Sequence, residues 1–276
     1  MVSINSNYAA SYAANAAKQT QAGLDSAMEK LSTGKRINYA KDDAAGQAIA
    51  TRLTAEIQGL SMASRNAADG QSMLDTADGA LQETHNLLLR MRELAVQAAN
   101  GTLQSTDRTA INAEFSALES EITRISDNTS WAGIKLLDSS LSGGVTFHVG
   151  SGASQTITHD IPNMAATAAT MGLVAAVTLA TMTNANSAIT QLDVAIAGVS
   201  KERAEIGAVS NRLDATISNL NQVKVNLSSS KGRIEDADFA QETGNLAKGQ
   251  ILQQAATAML AQANSSQSTV LTLLRG

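Results

Sequence analysis

Apolar positions recur along this chain at alternating spacings of three and four, over long stretches with few interruptions. Leu60, Ala67, Leu74, Leu81, Leu88 and Ala95 form one row at seven-residue intervals. Ala63, Ala77, Met91 and Ala98 form a second row three residues further on, broken at Gly70 and Thr84. A stripe of this kind faces a partner helix, so the spacing predicts one long helix over about 44–99, with Gly101 ending it. Ile111, Phe115, Leu118, Ile122 and Ile125 predict a second helix over about 106–127, folded back antiparallel on the first. Leu192, Val199, Ile206, Leu213, Leu220 and Leu227 mark a third over about 186–229. Its companion row holds Ile189, Ile196 and Ile217, but Arg203, Ser210 and Lys224 intrude. Those three are expected at the edge of the stripe or against another subunit, because either place avoids an unpaired buried charge.

The two ends share a different character. Residues 1–34 read as a nearly uncharged helix with an apolar line through Ile4, Tyr8, Tyr12, Leu24, Met28 and Leu31, stopped by Gly34. A polar connector, KRINYAKDDAAGQA, follows, in which Asp42 or Asp43 is placed to cap the next helix. Residues 235–274 again read as helix, with Leu252, Ala256, Met259 and Ala263 on one face, and Gly249 through Leu274 carry no formal charge. Such ends are expected to pair with each other and with neighbouring molecules, and to be weakly ordered in a single molecule. On this reading Leu260, beside Met259, is exposed in the free chain and buried after assembly, so Leu260→Asp blocks assembly at little cost in folding. The middle differs in kind: Asp160 is the only Asp, Glu, Lys or Arg between Ser139 and Leu192. There VTFHV and TITHDI alternate around a Gly/Ser turn and predict a hairpin, while 162–185 is a short helix or an exposed loop.

The fold expected is therefore mainly α, a long antiparallel coiled-coil-like helical bundle with a small β-hairpin region. Three regions follow: residues 1–42 with 236–276 as terminal helices, 43–140 with 186–235 as a rod-like bundle, and 141–185 as a short hairpin and variable outer segment.

Composition sharpens this. Apolar residues are 43% of the 276 but aromatics only 3%, which points to helical interfaces rather than a thick core. Pro162 is the only proline, so long helices run unbroken. A net charge of −5 gives no electrostatic reason to bind nucleic acid. There is no cysteine to act as nucleophile or metal ligand. No basic segment leads into an apolar one at the start, and no run of apolar residues is long enough to cross a membrane. These features alone read as cytoplasmic unless a signal-independent export route takes the chain.

Candidate chemistry is sparse. His148 and His159 could face each other across the hairpin and bind a metal, but no third ligand recurs nearby, and exposed or hydrogen-bonded histidines are the ordinary reading. His85 lies mid-helix without a His-Glu-x-x-His signature, and no nucleophile elbow, phosphate loop or dinucleotide fingerprint occurs. The carboxylates of Asp42 and Asp43, and of Asp236 and Asp238, suit capping and intersubunit contacts better than acid catalysis or cation binding. No catalytic residue, cofactor-binding residue or cofactor is expected. Arg90 and Glu114 read as an outer-face ion pair between neighbouring helices, with Leu94 beside the main stripe.

Several blocks resemble bacterial flagellin. Towards the start these are LSTGKRINYAKDDAAGQAIA at 31–50, RNAADGQSMLDTADGAL at 65–81 and LLRMRELAVQAANGT at 87–102. Towards the end they are GAVSNRLDATISNL at 207–220, RIEDADFAQETGNLAKGQILQQA at 233–255 and AMLAQANSSQSTVLTLLR at 258–275. The blocks stand in the family's order and cover about 3–138 and 186–275. The resemblance implies a subunit that polymerises into the extracellular filament of the bacterial flagellum and supports swimming. It implies terminal helices in the inner tube, a rod-like layer outside it, and export by the flagellar type III route. The assembly interface would then include Ile4, Tyr8, Leu24, Leu31, Leu252, Met259, Leu260, Leu271 and Leu274. Partners implied are other copies of the chain, a flagellar export chaperone, and the filament cap and hook-junction proteins. Arg90, Leu94 and Glu114 match positions through which enteric flagellins engage the animal innate immune receptor for flagellin. Only about 45 residues, 141–185, separate the family-like blocks, so large outer domains are expected to be nearly absent. One departure is SWAGIKLL at 130–137, where the family commonly has phenylalanine-asparagine-glycine in place of Trp131, Ala132 and Gly133. The alternatives are a hook-filament junction protein and a flagellin-like surface adhesin.

Overall fold

A computed structural model describes residues 6–141, 143–166 and 177–275, with side chains through Thr269. The elements run α1 (Tyr8–Thr33), α2 (Ala44–Ala98), α3 (Ser105–Asn128), β1 (Ser130–Trp131), β2 (Ile134–Lys135), β3 (Val145–His148), β4 (Thr156–His159), α4 (Met182–Glu235) and α5 (Phe239–Arg275). Among the described residues the chain is mainly helical, as its periodicity predicts, with two small antiparallel hairpins. It forms two compact units, one of residues 1–55 with 226–276 and one of residues 56–225.

The larger unit is built on the heptad stripes. Every member of the α2 row from Leu60 to Ala95 is buried, and so are Ala63, Ala77, Met91 and Ala98. The two breaks in that second row are not gaps in the stripe. Thr84 is buried and donates its hydroxyl to the Ala80 carbonyl, 3.0 Å away. Gly70 is where the hairpin packs: a Cβ there would lie 2.8 Å from Cδ1 of Phe147. Helix α4 runs antiparallel to α2, shown by Arg92 on Asp193 (2.6 Å), Asp78 on Arg203 (2.7 Å) and Gln71 on Asp214 (2.7 Å). Its buried companion row is Ala188, Ala195, Glu202 and Val209, while Ile189, Ile196 and Ile217 are partly buried beside it. Arg203 sits at the stripe's edge, where Asp78 pairs it. Small residues in one row opposite large ones in the next let the helices approach closely, so Phe115 and a few leucines suffice to fill the core.

Helix α3 folds back on α2 as its short connection requires. Arg108 ties the turn by donating to the carbonyls of Ala98 and Asn100, each 2.9 Å away. That side chain ends α2 at Ala98, three residues before Gly101, whose φ is not positive. After α3 comes a hairpin that periodicity does not announce: Ser130 pairs with Lys135 and Trp131 with Ile134. Its two-residue loop, Ala132–Gly133, has φ of 51° and 84°, the conformation of a type I′ turn. The expected hairpin is β3–β4, registered Val145 on His159 and Phe147 on Ile157. Beyond it Ile161, Met164, Ala166 and Leu179 are buried, so the described ends of the 162–185 stretch anchor single side chains in the core, while Thr178 and residues 180–184 are exposed. Residues 167–176 of that stretch lie outside the described residues.

In the smaller unit α1 and α5 run antiparallel, with Asn7 reaching the Ala263 carbonyl (3.2 Å) and Lys30 reaching Glu242 (3.4 Å). Gly34 ends α1 at φ 70°, its N–H returning to Lys30. Asp43, not Asp42, caps α2, accepting from the Gly46 N–H at 2.9 Å. Asp42 instead accepts the N–H groups of Asn38 and Tyr39 and folds the connector on itself.

Candidate functional site

The seam between α1 and α5 is built of alanines and one glycine with a few leucines among them. On α1 the covered positions are Ala10, Ala13, Ala17, Thr20, Leu24, Ala27 and Leu31, and on α5 they are Leu246, Gly249, Gln253, Ala256, Leu260 and Ala263. Both sets repeat at three and four. A Cβ on Gly249 would lie 3.2 Å from Cδ1 of Leu24, so the two helices meet almost backbone to side chain. A seam this narrow leaves the larger apolar residues outside it. Tyr8 is 76% exposed, Tyr12 80%, Ile251 67% and Met259 65%; Met28 and Leu252 are each 46% exposed.

The expected apolar lines are therefore divided in two. Tyr8, Tyr12, Met28, Leu252 and Met259 lie off the seam on exposed surface, whereas Leu24, Leu31 and Leu260 lie on it, half-buried. The expectation that Leu260 is largely exposed in the free chain is corrected accordingly: it follows Ala256 and precedes Ala263 in the seam. Leu260→Asp would disturb the pairing of α1 with α5 as well as any contact beyond it. Ile4 lies outside the described residues, and Leu271 and Leu274 lie in the stretch of α5 described only by its backbone. Sequence reasoning missed Ile251 because it sought a single face, whereas the exposed set wraps both sides of a thin seam.

A second constellation holds the connector. Lys35 and Lys231 both pair with the Glu235 carboxylate, and Arg36 donates to the Ile234 carbonyl at 2.9 Å. Hydrogen bonding from Lys35, reinforced by the Lys231 charge, holds the Glu235 carboxyl below its ordinary range against the opposing effect of burial. The Asp43 carboxyl is also lowered, first by the Gly46 N–H it accepts and then by Arg36.

In the larger unit Arg90 bridges α2 and α3, donating to Glu114 and to Glu93, both at 2.9 Å. All three side chains are exposed. Leu94 stands beside the main stripe, next to Ala95, and is buried in the core at 2% exposed. The metal geometry considered for the two hairpin histidines does not form, because the register places His148 opposite Thr156 and His159 opposite Val145. His148 is exposed, while His159 is buried with its Nε2 3.2 Å from Oε1 of the buried Glu202, a close approach not aligned as a hydrogen bond. Among the described residues no group of three or more metal-ligating side chains converges, and no helix is long and apolar enough to cross a membrane. The dominant unoccupied features are the apolar flanks of the α1–α5 pair, which suit association.

Comparison with known proteins bears on what associates. Residues 4–142 match the bacterial flagellin N-terminal helical region, and residues 189–274 match the bacterial flagellin C-terminal helical region. A flagellin of Halalkalibacterium halodurans is 46% identical over 249 residues, covering 90% of this chain and 91% of that one. The flagellin of Bacillus subtilis is 42% identical over 302 aligned positions, covering 99% of both. Among solved structures, the crystal structure of Bacillus cereus flagellin is 33% identical with a TM-score of 0.51, over 56% of this chain and 88% of that one. A flagellar hook-associated protein from Vibrio parahaemolyticus has a TM-score of 0.61 over 71% of this chain and all of its own, but at 17% identity that likeness shows the fold alone.

Proposed function

The chain belongs to the bacterial flagellins, structural proteins that polymerise into the flagellar filament and so serve motility, and on that premise we propose that its copies join through the exposed apolar flanks of α1 and α5. The observation that carries this reading is the exposure of Tyr8, Tyr12, Ile251 and Met259 on a pair of helices whose own seam needs none of them. Association covers such surface and is driven by doing so. Tyr8, Leu252 and Met259 then contact neighbouring copies directly. Leu24, Leu31 and Leu260 act by holding the two helices together. The test is Ile251→Asp. The site is 67% exposed in the free chain, so the unfolding midpoint should not move. Burying an unpaired carboxylate between copies costs several kcal/mol, on the order of 3 or more. Seeded assembly followed by sedimentation should therefore fail at concentrations where the parent chain assembles. Normal filaments from Ile251→Asp would remove these flanks from the interface.

The partners beyond self-assembly follow from the same surface. An export chaperone would cover the weakly charged part of α5, about Leu246–Leu274, before the chain leaves by the type III route. Undiminished capture by the chaperone of a chain ending before Gly244 would refute that footprint. Filament cap and hook-junction proteins would meet the same end helices. The exposed Arg90–Glu114 pair, braced by the buried Leu94, is the surface offered to the innate immune receptor for flagellin. Charge reversal at Arg90 should abolish receptor signalling by the free chain, and full signalling would exclude the site. Glycans on Ser or Thr of 139–183 would appear as added intact mass in native filaments, and the bare encoded mass would rule them out.

A further inference from the structure

We propose that Met28 and Met259 are oxidation sites through which peroxide reversibly withholds the free chain from assembly. This rests on the reading that the flanks of α1 and α5 carry self-association. Both thioethers are open to solvent in the free chain, 46% and 65% exposed, on the two helices of the smaller unit. Met73, Met91 and Met164 of the larger unit are at most 3% exposed and shielded by the core. Met62 and Met182 are exposed as well, at 50% and 48%, but stand on the larger unit. Peroxide therefore discriminates by access: four described methionines react in the folded chain, and two of them lie on the proposed interface.

The chemistry is an oxygen transfer. A lone pair on the thioether sulfur attacks one oxygen of hydrogen peroxide, the O–O bond breaks, and an S–O bond forms. The sulfur is oxidised by two electrons, the peroxide is reduced, and water leaves with the remaining oxygen. An adaptable apolar side chain becomes a polar, chiral one with a strong acceptor. In the free chain that oxygen stays in water, so folding is little affected. Between copies it must give up hydration that a thioether never had to lose, and no cationic side chain from Gly249 through Leu274 stands ready to replace it. The change is undone by methionine sulfoxide reductases, so the chain is withheld and not destroyed.

The experiment treats the full-length unassembled chain with hydrogen peroxide, maps sulfoxides by peptide mass spectrometry, and measures the threshold concentration for seeded assembly. Sulfoxide at Met28 and Met259 should raise that threshold by about tenfold or more, the scale of losing one buried apolar side chain. Reduction by methionine sulfoxide reductases should restore it. The Met28→Leu, Met259→Leu double variant should assemble normally before peroxide and keep its threshold afterwards, whereas Met62→Leu with Met182→Leu should remain peroxide-sensitive. The reverse pattern, or equal sensitivity of both variants, overturns the proposal. If the leucine variant assembles poorly before treatment, rates of sulfoxide formation decide. Met28 and Met259 must oxidise more slowly in parent filaments than in the free chain, and equal rates overturn the proposal. Failure of the underlying reading is recognised separately, by normal assembly of Ile251→Asp.

Discussion

Replacing Gly70 by alanine should destabilise the larger unit, while the same replacement at Gly79 should stabilise it, although both stand inside one helix. A helical glycine costs about 0.8–1.0 kcal/mol relative to alanine through backbone entropy. At Gly79 nothing lies within 4 Å of a built Cβ, so most of that gain should be realised. At Gly70 the new methyl would meet Cδ1, Cε1 and Cγ of Phe147 at 2.8, 3.0 and 3.2 Å. Carbon atoms rest about 3.5–4.0 Å apart, so the ring must retreat by roughly 0.5–1 Å. Phe147 is 8% exposed and its strand is pinned by the ladder to Thr156–His159, which leaves it little room. Overpacking of this kind costs about 1–3 kcal/mol, and subtracting the helical gain leaves a net loss of about 0–2 kcal/mol. For a unit of this size each kcal/mol moves the midpoint by roughly 2–4 °C. Trp131, the only tryptophan, lies in the larger unit, so its fluorescence during heating follows that unit alone. Gly70→Ala should also become stabilising in a Phe147→Ala background, where the ring is gone. A Gly70→Ala midpoint raised as far as that of Gly79→Ala would refute the claim that the hairpin is seated on this glycine.

Two other outcomes test local features. Ala132→Asn should stabilise the larger unit by about 0.5–1 kcal/mol, because a non-glycine at positive φ is strained and asparagine tolerates the type I′ turn; an unchanged Trp131 unfolding midpoint would count against this. Acidification should loosen the connector: the Glu235 carboxyl is held below its ordinary 4.5, so its contribution is complete above that value and is lost as pH falls through the lowered one. Protection of the Arg36 and Ala237 amides, bonded to Glu235 and Gly34 and measured against the intrinsic exchange rate at each pH, should fall below about pH 4.5 in the parent, and Glu235→Gln should abolish that acid dependence; identical profiles would dismiss the role of this carboxylate.

The helices were legible because heptad spacing over fifty residues cannot arise from a strand or a loop. Gly34 and the hairpin at 145–159 were legible from residue chemistry that suits few other structures. What was not legible came from pairing. On α4 the spacing of large residues picks out Ile189, Ile196 and Ile217 as the companion line, but the fully covered line is Ala188, Ala195 and Glu202. A row of alanines is a weaker hydrophobic signal than a row of isoleucines, yet it allows the closer helix contact. A similar shift occurs in α1 and α5, where Tyr8, Tyr12, Met28, Leu252 and Met259 of the expected lines lie off the seam and alanines with Gly249 fill much of it. Glu202 and His159 were invisible as a pair because they are brought together only when the hairpin lies on α4. The turn at Ala132–Gly133 was hidden because alanine is an unexpected occupant of a left-handed position.

The partnership of α1 with α5 joins segments separated by nearly the whole sequence, and that separation makes the order of events matter. Left to an unfolded chain, the meeting of these helices closes a loop around about 170 intervening residues, those of the larger unit. Once that unit has folded, Glu56 and Val223 line one cavity of about 540 Å³, so the chain enters and leaves the unit at nearby points. The effective loop shrinks to the roughly 35 residues that join the unit to the two helices, which removes about 1.5 kcal/mol of closure entropy by the logarithmic dependence on length. The folded middle thus acts as a template for its own extremities. Any lesion that unravels the hydrophobic interior at Phe115 or Leu81 would be felt in the pairing of α1 with α5, because the two helices would have to find each other as strangers.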